Sequence, residues 1–275
     1  MKRFILAILV IVFLSCSKDN LNGQSNNGIL PEPETPITPP ETPPVNPPQT
    51  TSDVSIPSGL LYYYQSVDFS KNGQELYNDL AQLTIAKHTN ILGYEQRHPY
   101  LRKADASLSN KNKVLLIYSG QEVTIGSNIY DTEHVYPKSF LEAKTKTISI
   151  ADLHHLRYCV SKDNSTRGNR AFTSGNGEKG VVGNFWYPGD DWKGDVARII
   201  LYMNLRYNEA FHKVSTTTQG VNLFLQWNVE DPVSAFENQR NNEIEKAQGN
   251  RNPFIDNPYL ATKIWGGTMA QNLWK

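Results

Sequence analysis

Glu133 and His134 stand side by side in the segment Asp131-Thr-Glu-His-Val-Tyr-Pro-Lys-Ser139, and Asn164 lies thirty-one residues beyond Glu133. A neutral imidazole accepts a proton near neutral pH, and oxygen donors suit a hard divalent cation. Alone the pair is a weak signal. Successive side chains on a strand point to opposite faces, so both serve one site only where the backbone twists or bulges. A second block, Ala151-Asp-Leu-His-His-Leu-Arg-Tyr-Cys-Val-Ser-Lys-Asp-Asn-Ser-Thr-Arg-Gly-Asn169, strengthens it. His154 to Val160 reads as a strand, and Ser161 as the cap of a short helical turn that displays Asn164, with Arg167 one turn further along. Strand, loop, strand and short helix make a ββα unit. Residues 134 to 170 carry seven basic side chains against three acidic ones, a local charge of +4.

The elements that must hold this unit are mostly helices. Asn72 to Lys87 reads as a helix with Leu76, Leu80 and Leu83 on one face. Val114 to Tyr118, followed by Ser119-Gly120, reads as a buried strand and turn. Asp195 to Phe211 carries Val196, Ile199, Ile200, Met203, Tyr207 and Ala210 at helical spacing. A further helix takes Asp231 as N-cap and Pro232 at its first position, and stops at Gly249. Its apolar stripe, Val233, Phe236, Arg240, Ile244, Ala247, contains an arginine. A buried guanidinium requires a partner, so Arg240 either braces the core with Glu237 or reaches a substrate phosphate. Few long strands occur, and the expected fold is α+β, a mostly helical single domain around the ββα unit with a small antiparallel sheet.

The chain divides into three parts by composition. Lys2 and Arg3 precede an apolar run from Phe4 to Leu14, too short to span a bilayer and suited to a signal peptide. The run ends at Leu14-Ser15-Cys16, the pattern of a bacterial lipoprotein lipidated on Cys16, so residues 1–16 are expected to be its signal peptide. Residues 17–54 form a tether, with nine prolines between Pro31 and Pro48, and Ser17-Lys18-Asp19-Asn20 resembles a surface-export tag. Such a segment buries no core; at about 3.1 Å per residue, twenty residues of polyproline would span roughly 60 Å. Residues 55–275 are the expected globular domain, large enough for its own core. Cys159 then has no partner, so no disulfide staples the domain. The whole chain has 27 basic and 27 acidic residues, and beyond residue 54 the count is 24 against 22. Bulk charge therefore does not announce a nucleic-acid binder.

Together the blocks resemble the endonuclease I family of the His-Me-finger, or ββα-metal, nucleases, and the resemblance covers most of residues 70 to 266. Gly194-Asp-Val-Ala-Arg198 with Tyr202-Met203 and Arg206-Tyr207 looks like the family's central helix. Pro232-Val233, Glu237, Arg240 and Gln248-Gly-Asn-Arg-Asn-Pro-Phe-Ile-Asp256 look like its C-terminal signature. The resemblance implies His134 as general base, with Glu133 and Asn164 as ligands of one divalent ion. That ion would be Mg2+, with Mn2+ or Ca2+ as substitutes. It also implies DNA and RNA as substrates cut to 5′-phosphate ends, and an arginine on the scissile phosphate, for which Arg167 and Arg157 are the candidates. Arg167 has a rival role, bracing the turn after the metal helix. Asp152 and His154 are expected to orient the ββα unit from behind the ligands, as are Glu237 and Arg240. The family's Asp-x-His-Asn-Leu element is here Asp152-Leu-His-His-Leu156, with histidine in place of asparagine. His155 could suggest zinc with His134 and His154, but neighbours on a strand are poor joint ligands.

The expectation is a monomeric outer-membrane lipoprotein nuclease, facing the cell surface or the periplasm, with no obligate protein partner and with membrane contact through the lipid alone. Three competitors remain: a surface lipoprotein that binds nucleic acid without turnover, a structural or glycan-binding lipoprotein, and a metal-independent hydrolase using Cys159.

Overall fold

The computed structural model describes residues 53–216 and 218–275; the signal peptide, Cys16 and the proline-rich segment expected from the sequence lie outside the described residues. The helices are α1 (Leu61–Tyr64), α2 (Gly73–Lys87), α3 (Arg97–Ala104), α4 (Lys146–Ser149), α5 (Ser161–Arg167), α6 (Lys193–Tyr207), α7 (Val221–Glu230), α8 (Ala235–Gln248), α9 (Pro253–Asp256) and α10 (Tyr259–Trp265). The strands are β1 (Lys113–Leu115), β2 (Glu122–Thr124), β3 (Tyr130–His134), β4 (Leu156–Val160), β5 (Gly180–Val182) and β6 (Phe185–Tyr187). They form three antiparallel pairs, β1 with β2, β3 with β4 and β5 with β6, so the small sheet of the expectation is three hairpin-sized ones. The α+β class holds.

α6 is the axis of the molecule. Val196, Ala197, Ile200, Leu201, Tyr202 and Met203 are all buried, on every side of the helix, as expected of a helix surrounded by protein. α7, α2 and α9 pack around it. Its N-terminus is pressed against the chain at Asp231, where a Cβ on Gly194 would lie 2.2 Å from the Asp231 carbonyl oxygen, so only glycine fits. A second apolar cluster, with Leu101, Val114, Leu156, Tyr158 and Ile244, joins α3 and α8 to the back of β4. Val54, at the end of the expected tether, is buried, and the Ser55 amide donates to the Trp274 carbonyl at 2.8 Å.

Several local expectations change: β1 stops at Leu115, β4 starts at Leu156 and α6 ends at Tyr207, and two helix starts differ. α8 begins at Ala235, not beside Asp231-Pro232, because Ser234 and Glu237 form a reciprocal capping box that outcompetes the earlier signal. The Asp231 carboxylate instead accepts the Gly194 amide at 2.8 Å. Ser161 is the first residue of α5 and makes no capping bond; β4 runs directly into the helix at Val160.

Candidate active site

β3 and β4 pair with Glu133 opposite Arg157 and His134 opposite Leu156, and α5 follows β4 without a loop. The resulting strand, strand and helix bring the three sequence-selected residues together. Glu133, His134 and Asn164 line one cleft of about 310 Å³ with Tyr94, Lys138, Ser139 and Asn169. Glu133 and His134 both line it although they are neighbours in the last two positions of β3.

Each of the three is held by some of its polar atoms and left with another to use. The Oε1 of Glu133 accepts from the Tyr118 hydroxyl at 3.0 Å and from Arg167 Nη1 at 3.1 Å. Burial pushes this carboxyl up to about 7, against the opposing pull of Arg167 and Tyr118. His134 Nε2 lies 3.1 Å from the Ile150 carbonyl, to which it can only donate, so the proton sits on Nε2 and Nδ1 keeps its lone pair. Burial, reinforced by His155 and the cations Lys138 and Arg97, pushes the imidazole down to about 3, so at neutral pH it is uncharged. The Asn164 amide nitrogen donates to Asp131 Oδ1 at 2.5 Å and lies 3.4 Å from the Thr132 carbonyl, which turns its side-chain oxygen into the acceptor that remains.

The expected phosphate-binding arginines are elsewhere. Arg167 is fully buried; besides Glu133, it donates to the carbonyls of His134 at 3.0 Å and Val135 at 2.8 Å. It braces the end of β3 from behind the cleft. Gly168 follows it at φ +55, which lets the chain turn sharply beside the cleft. Arg157 is equally buried, with Nη1 on Asp195 at 2.9 Å and Nε 3.2 Å from Asp105, so it too is a strut of the interior. The anticipated Glu237–Arg240 pair is also replaced. Glu237 takes Arg198 in a two-pronged grip, at 2.6 and 2.8 Å. Arg240 bonds Asp105 and the carbonyls of Leu153 and Leu156, at 3.0 and 3.1 Å, and so reaches no phosphate.

Asp152 and His154, expected to orient the unit, are buried in a hydrogen-bonded network. Asp152 accepts from the hydroxyls of Tyr202 and Tyr207 at 2.7 and 2.8 Å, from Gln248 at 3.0 Å and from the His154 amide at 2.9 Å. Burial alone would raise its pKa, but His154, His88 and these donors hold it well below the usual carboxylate range. His154 Nε2 meets the Asn250 carbonyl at 3.2 Å, and His155 Nε2 the Ser149 carbonyl at 2.6 Å. The substituted histidine thus pins the turn that presents the Ile150 carbonyl to His134. The three histidines each spend a ring nitrogen on a different carbonyl, those of Ile150, Asn250 and Ser149.

The endonuclease I family model matches residues 72–259. The chain belongs to that family. This endonuclease I-family chain is 35% identical to an extracellular ribonuclease of Bacillus amyloliquefaciens over 241 residues, 79% of this chain and 83% of the relative. It is 36% identical to an extracellular ribonuclease of Bacillus subtilis (strain 168), over 74% of this chain and 78% of the relative. A periplasmic deoxyribonuclease of Aeromonas hydrophila is 30% identical over 116 residues, 38% of this chain and 47% of the relative.

Sequence reasoning missed several residues of the site. Tyr118 holds Glu133 from a left-handed backbone at φ 67, and nothing in Tyr-Ser-Gly signals that a tyrosine would adopt it. Tyr94 stacks on His134 and Arg97 covers Tyr94. Asp105 gathers Arg157, Arg240 and the Tyr158 amide. Lys138 is the cation that does line the cleft, and it was legible only as one member of the basic cluster.

Proposed function

We propose that this chain is an exported endonuclease that hydrolyses phosphodiester bonds in both DNA and RNA, with His134 as general base and Glu133 and Asn164 as ligands of one divalent ion. The observation that carries the reading is the arrangement of spare atoms: one carboxylate oxygen, one amide oxygen and one imidazole lone pair, on three residues lining a single cleft. The donor set fits a hard cation. Two oxygens of the protein suit Mg2+, which keeps most of its coordination shell for water and phosphate, with Mn2+ or Ca2+ as substitutes. A cation would also relieve the cost of a carboxylate as buried as Glu133. When bound, the ion would polarise the phosphate and stabilise charge on the leaving 3′ oxygen.

The chain's own residues do the rest. Nδ1 of His134 accepts the proton of the attacking water, while Nε2 stays fixed on Ile150. The arriving phosphodiester is an anion, and it favours the imidazolium that this step produces. Tyr118 and Arg167 keep Glu133 from swinging, and Lys138, lining the same cleft, meets the phosphate. Attack by water leaves a 5′ phosphate and needs no ribose 2′-hydroxyl, so both sugars are accepted. The family match and the extracellular and periplasmic relatives support this reading and an exported location. Anchoring through Cys16 in the outer membrane and action as a monomer belong to the same proposal.

The test is to incubate the full chain with supercoiled plasmid and with RNA, with and without a chelator. Cleavage of both polymers that stops on chelation and returns with Mg2+ is expected. Cleavage that survives chelation would sink the metal mechanism, and binding without cleavage under any divalent ion would favour a nucleic-acid-binding protein.

A further inference from the structure

Among the described residues lining the cleft, Tyr94 contributes the one tyrosine, phenylalanine or tryptophan ring. Aromatic rings in nucleic-acid clefts commonly serve as platforms on which bases stack. Here the ring is already engaged by two planar groups. The His134 imidazole stacks on the ring with centroids 5.2 Å apart and planes 25° from parallel. The Arg97 guanidinium carbon lies 3.7 Å from the same ring's centre. Two flat groups this close to one face would overlap, so they occupy opposite faces.

The strand beneath explains the spacing. Arg97 Nε donates to Thr132 Oγ1 at 3.0 Å, and its Nη1 donates to the Tyr94 carbonyl at 2.8 Å. Thr132 and His134 are second neighbours on one face of β3, which places them about 6.7 Å apart. That gap admits one ring, and Tyr94 fills it. Arg97 is tied both to the strand and to the residue whose ring it covers, and the arginine side chain is only 12% exposed.

We infer that Tyr94 and Arg97 are specificity-setting residues of this cleft: the Arg97–Tyr94–His134 stack holds the imidazole in place and denies nucleobases a stacking surface. The cleft then grips the sugar-phosphate backbone without sensing the base. Tyr94 is a positioning residue for His134, and Arg97 is the cover that keeps Tyr94 from becoming a base platform. The inference rests on the nuclease reading above.

The experiment uses the full chain, in chelator to prevent turnover, with two probes of equal length, oligothymidylate and an abasic oligonucleotide. The unaltered protein should bind both to within about 2-fold, less than the smallest usual stacking gain. Arg97→Ala opens the outer face of Tyr94 and should favour the base-bearing strand by about 5-fold or more. The double variant Arg97→Ala/Tyr94→Leu should lose that preference. In steady-state assays with Mg2+, Tyr94→Leu should lower kcat by about 10- to 100-fold with little change in KM, and Tyr94→Phe, which keeps the stack, should behave as the unaltered protein. An unaltered protein that prefers the base-bearing strand by about 5-fold overturns the inference without any variant. So does an Arg97→Ala protein with an unchanged ratio. Failure of the unaltered protein to bind either strand, or to cut plasmid, would strike the nuclease reading itself and is separable from both.

Discussion

Arg167 bonds a cleft carboxylate, Lys138 lines the cleft, and both carry the same charge, yet they are used in opposite ways. Arg167 is fully buried, and its two amino groups reach one carboxylate oxygen and two main-chain carbonyls. Lys138 is exposed on the cleft wall and pairs with no carboxylate among the described residues. Arg157, Arg198, Arg240 and Arg251 follow Arg167, each buried and paired with Asp or Glu. A buried cation stripped of its partner costs several kcal/mol, so these arginines are committed to the fold, whereas the exposed Lys138 has no such commitment.

The largest expected effect tests the cleft itself. His134→Ala should lower kcat per folded molecule by about 10² to 10⁴-fold; a variant with full activity would remove the assigned base. Next, Arg167→Ala and Arg198→Ala should each lose about 3–5 kcal/mol of stability in urea titrations, because each strands a buried carboxylate. They should then part. Arg198→Ala should retain its turnover per folded molecule, and Arg167→Ala should lose most of it, because Glu133 and the end of β3 are no longer braced. Equal turnover in both would erase the distinction between a strut of the interior and a strut of the site.

Acid should act on the interior before it touches the cations. Burial pushes His154 down to about 4, and His88 is lowered by the same cause, so both are neutral when folded. The unfolded chain therefore binds more protons, and their contribution is complete above about 6.5 and lost as pH falls below it. Asp152, held below its unfolded range, adds a loss of the same sign below about 4. The urea midpoint should fall between pH 7.5 and 5; a flat profile would contradict the neutral burial of these histidines. The smallest effect belongs to the exposed cation. Lys138→Ala should shift stability by less than about 0.5 kcal/mol, raise KM, and reduce the slope of log affinity against log salt by about 1. An unchanged slope would show that Lys138 meets no phosphate.

Much of the site was legible because its motifs are local. The Glu133-His134 pair, the Asp152 block and Asn164 fall within thirty-two consecutive residues, and strand, strand and helix can be read from their periodicity and order. The apolar stripe of α6 likewise announced its own burial. The arginines were not legible in the same way. A stripe shows that Arg240 points inward, but its carboxylate, Asp105, is 135 residues away in the chain. The nearer Glu237 is taken by Arg198, 39 residues away.

The sequence by itself determined the family, the helical character, the ββα unit and the three residues that face the cleft, since each follows from residue types at short, fixed spacing. The tertiary structure decided which charges are used internally and which face outward. It also decided that Tyr118 and the Tyr94–Arg97 pair belong to the site. The physical reason is that burial and partner choice are set by contacts between distant segments, and a guanidinium in the sequence looks the same whether it will meet a carboxylate or a phosphate.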